Sequence, residues 1–131
     1  EDMELFHSRD HQPQPADPLR FSGDATMARM DLSGRPELHM YRVAFQPSAR
    51  TAWHAHSGMQ LLLVIEGRCR IQKDGEPIQE VAAGGAIRIE AGERHWHGAT
   101  ADAPMTHLAL NVDAATDWFE KVTDDQYGGR K

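Results

Sequence analysis

From residue 25 onward the chain is a succession of short apolar stretches, and this spacing limits the fold more than any other feature. The stretches are TMARMDL, ELHMYRVAF, TAWHAH, MQLLLVIEG, RCRIQ, PIQEVA, GAIRIE, RHWHGAT and MTHLALNV, parted by glycine, proline and aspartate. Runs this short and this evenly punctuated fit a sandwich or barrel of strands, not a helical fold. Asp74-Gly75 separates two of them, and Asp-Gly is a strong hairpin signal because its turn needs positive φ. The expected fold is therefore all-β: one antiparallel barrel or double-sheet jelly roll.

A chain of 131 residues is long enough for one real core and too short for two ordinary domains. Its first twenty residues carry Pro13, Pro15 and Pro18 among polar neighbours, which predicts an extended or loose arm. The division expected is an arm over residues 1–24 and a domain over 25–131. Only the end looks helical. Asp113 or Thr116 can cap a segment placing Trp118 and Val122 on one face, and Thr123 with Gln126 has capping-box spacing for a final turn before Gly128.

The net charge of −6 and the lack of a Lys/Arg cluster argue against nucleic acid. With Cys69 as the single cysteine, no disulfide forms within the chain. No apolar run approaches the length of a membrane span, and the opening residues have no signal-peptide core. These readings point to a cytoplasmic protein with a small-molecule partner.

In MQLLLVIEG, strand alternation turns Gln60, Leu62 and Val64 one way and Leu61, Leu63 and Ile65 the other. Both faces are apolar, so the outer one needs cover from a second sheet, the arm or another subunit. The expectation is a homodimer or homotetramer.

The chain has eight histidines. His54 shares a strand face with His56, and His95 with His97. Neutral imidazole is the commonest metal ligand. Two His-x-His pairs in one small β-domain, with Gln60 in register, point to one metal ion. Trp53 and Trp96 alternate with these histidines and should point away, into the outer packing.

WHAHSGMQLLLVIEG resembles the first motif of the cupins, and GGAIRIEAGERHWHG the second, so that residues 41–112 are similar to a cupin barrel. The sequence departs from the usual pattern at Ser48, where glycine is common, at Gln60 for glutamate, at Glu90 for proline and at Ala99 for asparagine. RTAWHAH, Gln60, GERHWHGAT, MTHLAL and DWFEKVTDDQY also resemble the small bacterial cupins that act as manganese-dependent hydroxynitrile lyases, over residues 47–127. The resemblance implies a divalent ion held by His54, His56, Gln60 and His95. Manganese is the first candidate, with iron, zinc or nickel sharing these ligands.

Four neutral ligands would leave the ion its full charge, which favours Lewis acidity and an anionic substrate oxygen. The resemblance also places His97 and His107 beside the metal as catalytic residues. One would take a proton from a cyanohydrin hydroxyl while the other meets the departing cyanide. Strand parity from His107 adds Asn111, and parity along ELHMYRVAF adds Val43 and Tyr41, as the substrate pocket. Two other functions compete: an Fe(II)-dependent dioxygenase, which would stop without oxygen, and a non-catalytic small-molecule binder.

Overall fold

The computed structural model describes residues 3–30 and 35–130. In chain order the strands are β1 (Gln14–Pro15), β2 (Phe21–Ser22), β3 (Ala25–Arg29), β4 (Leu38–Phe45), β5 (Arg50–Thr51), β6 (His54–His56), β7 (Met59–Glu66), β8 (Arg68–Lys73), β9 (Gln79–Ala82), β10 (Ala86–Ile89), β11 (His95–Ala99), β12 (Met105–Val112) and β13 (Thr116–Trp118). One α-helix, α1 (Asp124–Tyr127), follows. The Asp31 and Leu32 end of the first predicted stretch lies outside the described residues.

The strands form two antiparallel sheets. One runs β1-β3-β4-β12-β7-β10. In the other, β11 pairs with β8 along one edge and with β5 and β6 along its opposite edge, while β9, β2 and β13 extend the margins. Cupping one sheet against the other gives a jelly-roll barrel whose inner faces bury Phe45, Leu62, Val64, Cys69, Ile71 and Met105. The alternation expected for MQLLLVIEG is present: Gln60, Leu62 and Val64 are buried, whereas Leu61, Leu63 and Ile65 remain 37%, 39% and 45% exposed. Neither the arm nor the second sheet covers that outer face among the described residues.

Turns carry the backbone where their residues permit. Gly75 adopts φ 84° in the hairpin between β8 and β9, closed by the Glu76 N–H donating to the Lys73 carbonyl. Gly67 turns β7 into β8 at φ 74°, and any Cβ there would strike the Pro104 carbonyl. Ser48 has φ 68° in the left-handed region. A glycine would sit there without the steric cost a side chain incurs.

The end of the chain departs from the sequence reading. Thr116 and Trp118 belong to a strand, not to a helix that also holds Val122. β13 pairs antiparallel with β6, setting Thr116 opposite His56 and Trp118 opposite His54. The open edge of β6 offers backbone partners that a local helix would leave unmet, and a β-branched and an aromatic residue suit a strand. Trp118 therefore packs inward, while Val122 joins Trp53, Trp96 and Tyr127 in a separate outer cluster. That cluster is where Trp53 and Trp96 were expected. The final turn forms with its capping box: Gln126 N–H donates to Thr123 Oγ1 at 3.1 Å, and Thr123 N–H to Gln126 Oε1 at 2.9 Å.

The proline-bearing arm lies on the barrel at two points. β1 pairs with β3, β2 pairs with β5, and Phe21 is buried in the core. No helix among the described residues is long and apolar enough to cross a membrane.

Candidate metal centre

Three pairings bring the histidines together. His95 of β11 lies opposite His54 of β6, so two His-x-His strands sit side by side and turn the same face inward. On the facing sheet, β12 places His107 between Val43 and Val64, and Asn111 between His39 and Gln60. His54, His56, Gln60, His95, His97, His107 and Asn111 are all buried.

What the imidazoles do with their nitrogens matters more than their proximity. His54 Nδ1 is 2.9 Å from the Ala52 carbonyl and His95 Nδ1 is 2.7 Å from the Glu93 carbonyl. A carbonyl only accepts, so each Nδ1 carries the proton and each Nε2 is left with a lone pair for a metal. His56 Nδ1 meets Thr116 Oγ1 at 3.0 Å. The Gln60 amide donates its N–H to Asn111 Oδ1 at 2.8 Å, which turns its Oε1 the other way. His56 Nε2, His95 Nε2 and Gln60 Oε1 are then buried with no hydrogen-bond partner. A buried polar atom without a partner is costly, and a bound cation is a group that satisfies such lone pairs.

His97 and His107 differ. His107 Nε2 and His97 Nδ1 are 3.0 Å apart and share a hydrogen bond, leaving His97 Nε2 and His107 Nδ1 without partners. Ligand nitrogens of His54, His95 and His97 all lie within 4.8 Å of one another, so His97 stands within reach of the same centre. The His54 ring is 4.2 Å from that of His95, 5.1 Å from that of His56 and 5.2 Å from that of His97, centre to centre.

Burial keeps these rings neutral, as a ligand or a base requires. It lowers the pKa of His95 and of His107 to about 4, and it pushes those of His54 and His97 well below 6.5, with neighbouring imidazoles adding repulsion. His56 is lowered too, again by burial, with the adjacent Gln60 amide acting in the opposite direction.

A cavity of about 240 Å³ opens beside the cluster. Its wall includes His54, His56, Gln60, His97 and His107 together with Tyr41, Val43 and Asn111. His95 is not part of that wall; it packs behind His54 and borders a separate cavity of about 210 Å³. Five wall residues were not foreseen, among them Met27, which β3 sets opposite Val43. Thr51 Oγ1 accepts from the His97 backbone N–H at 3.2 Å, Thr116 holds His56, Trp118 lies 4.7 Å from His54 at 31°, and Phe21 comes from the arm. None had a local signal: Thr51 is three residues from His54 and so of opposite strand parity, and these residues reach the wall through pairings that no local pattern encodes.

A barrel of two antiparallel sheets with inward histidines from β6 and β11 is the architecture of a metal-binding cupin. Residues 41–111 match the cupin domain model, and the chain belongs to that family. It is 46% identical over 88 residues to an (R)-mandelonitrile lyase of Granulicella tundricola, a span covering 65% of this chain and 67% of that protein. Among solved structures, a cupin-like protein of Thermotoga maritima superposes with a TM-score of 0.86 at 27% identity, covering 98% of both chains. A polyketide cyclase of Streptomyces resistomycificus does so with a TM-score of 0.76 at 20% identity, over 96% of this chain and 91% of that one, a likeness of fold alone.

Proposed function

We propose that this metal cupin is a lyase of the hydroxynitrile-lyase type, cleaving or forming a cyanohydrin. The observation that carries the reading is the division of the buried rings into ligands tied to fixed acceptors and a His97–His107 pair tied only to itself. The relative from Granulicella tundricola, which bears the name of that activity, supports it.

His54, His56, His95 and Gln60 are the residues that hold the ion, manganese in the first instance. When bound, it supplies a Lewis acid that polarises a substrate oxygen. The four donors are neutral and no carboxylate stands among the described cavity residues, so nothing in the wall offsets that charge. Tyr41, Val43 and Asn111 shape the space for the substrate. The His97–His107 pair takes the hydroxyl proton. The carbon–cyanide bond then breaks with its electron pair leaving as cyanide, and the carbonyl forms. Because the two rings share a hydrogen bond, a proton accepted at one unpartnered nitrogen can be matched by release at the other. In the direction of synthesis the same atoms move in reverse.

The working unit is at least a dimer, joined through Leu61, Leu63 and Ile65, whose exposed face none of the described residues covers. Arg88 and Glu90, ion-paired at 2.9 Å beside this stripe, offer both signs of charge, as a self-complementary contact requires. Sedimentation as a monomer at micromolar concentration overturns this part.

The test of the reaction is cyanide release from mandelonitrile by metal-loaded protein, with and without oxygen. Equal rates in both support the lyase. Activity that vanishes without oxygen, or no release under either condition, overturns it.

A further inference from the structure

The histidine-lined cavity adjoins a larger one of about 720 Å³. Phe21, Met27, Tyr41 and Trp118 line both, forming an apolar collar between them. Beyond the collar the outer wall is made largely by the arm, and two guanidinium groups stand on it. That of Arg20 lies 5.3 Å from the centre of the Trp118 ring, and that of Arg29 lies 5.9 Å from the centre of the Tyr41 ring. Each cation is thus seated on one aromatic of the collar.

Arg20 is also held by its backbone. Its carbonyl accepts from the Ala52 N–H at 2.7 Å and its own N–H donates to the Asp17 carbonyl at 2.9 Å. The next residue, Phe21, is buried and pairs with Thr51. Asp17 and Asp10 share the outer wall. The Asp17 carboxylate is turned back onto the Leu19 N–H at 2.9 Å, and among the described residues no carboxylate forms an ion pair with Arg20. Arg29 Nη2 contacts His39 Nδ1 at 3.3 Å, and the proposal rests on Arg20.

The series from inside to outside is neutral metal-type donors, an apolar collar, then a rim of mixed charge on which Arg20 has no ion-pair partner among the described residues. We propose that the two cavities together bind one elongated organic anion. Its oxygen donor sits at the histidine wall, its apolar or aromatic body lies within the collar, and its carboxylate meets Arg20. This rests on the inner cavity being the substrate site and narrows its substrate to a carboxylate-bearing carbonyl or hydroxy compound.

Calorimetry on the full-length, metal-loaded protein tests this with para-formylbenzoate against its neutral methyl ester. The acid should bind roughly 3–10-fold more tightly at low salt, the range of a partly exposed charge-assisted hydrogen bond. The advantage should fade near ~1 M salt, where screening reaches about 3 Å. Arg20→Gln should erase the preference without moving the ester, Arg20→Glu should reverse it, and Arg20→Lys should keep part of it. Equal affinities in the unsubstituted protein overturn the proposal. So does a preference that survives Arg20→Gln, which would place the carboxylate on the metal instead. Mandelonitrile carries no anionic group, so its cleavage reports on the lyase reaction separately, and either assignment can fail alone.

Discussion

Five imidazoles crowd the same interior, yet they are held in two different ways. His54 and His95 each give a proton to a backbone carbonyl, and His56 meets a threonine hydroxyl, so these rings are anchored to the frame of the sheet. His97 and His107 are anchored to each other across the barrel, at 3.0 Å. A ring fixed to the backbone has one tautomer and one direction for its remaining lone pair, which suits a metal. A pair whose members can exchange donor and acceptor roles suits proton movement. Strand position alone does not make the distinction, because His95 and His97 are two residues apart on one face of β11.

The largest effect expected comes from the anchored group. Replacing His54 and His56 together by alanine should remove metal and turnover at once while the circular dichroism of the sheets persists. Full metal content in that variant would erase the distinction. Next is the mutual pair: His97→Ala or His107→Ala should leave metal content near that of the unsubstituted protein while turnover falls by about 10²–10⁴-fold, the usual worth of a general base. If metal is lost in step with rate, the pair belongs with the ligands; if both variants keep their rate, it has no part in the chemistry.

Acid should expose the cost of keeping these rings neutral. A group whose folded pKa lies below its unfolded one binds fewer protons when folded, so stability falls with pH. For His95 and His107, lowered from 6.5 to about 4, that stability is fully present above 6.5 and is lost as the pH falls through about 4. Chelator-treated protein should therefore unfold more readily across this window. His107→Gln should flatten the slope, and thermal melts at stepped pH would read both. A flat profile would mean that the rings are charged in the fold.

Thr116→Val tests the anchor of His56 with little change in volume. Loss of that hydrogen bond should weaken metal affinity by roughly 10-fold, at the low end for an outer partner of a ligand, with the His97–His107 pair untouched. Competition with a chromophoric chelator measures it, and unchanged affinity would show that β13 does not hold the ligand. The smallest effect should be Ser48→Gly, which relieves a side chain at φ 68°. A gain of up to about 1 kcal/mol in stability is expected, with no change in metal content or rate. A loss of stability would show that the serine earns its place by contacts.

Much of the frame was legible because it follows from local alternation. The period of two in MQLLLVI sorts Gln60 to Ile65 into buried and exposed sets one by one, and the same parity puts His54 with His56 and His107 with Asn111. The last turn was legible too, since a capping box is a contact between residues three apart. The segment around Thr116 was not. Its own composition allowed a helix, and the edge of β6, some sixty residues earlier in the chain, made it a strand.

The sequence by itself determined which side chains point inward and that enough neutral nitrogen gathers there to bind a metal. Only the tertiary structure decided which nitrogen each ring presents, because that depends on the acceptor behind it: Ala52 and Glu93 nearby, but Thr116 from the far end of the chain. It likewise joined His97 to His107 across two sheets and set Arg20 and Phe21 of the arm at the mouth. Side-chain direction is a property of the backbone within a strand. Hydrogen-bond partners and cavity walls come from long-range pairing, and no single stretch of sequence contains both halves of such a contact.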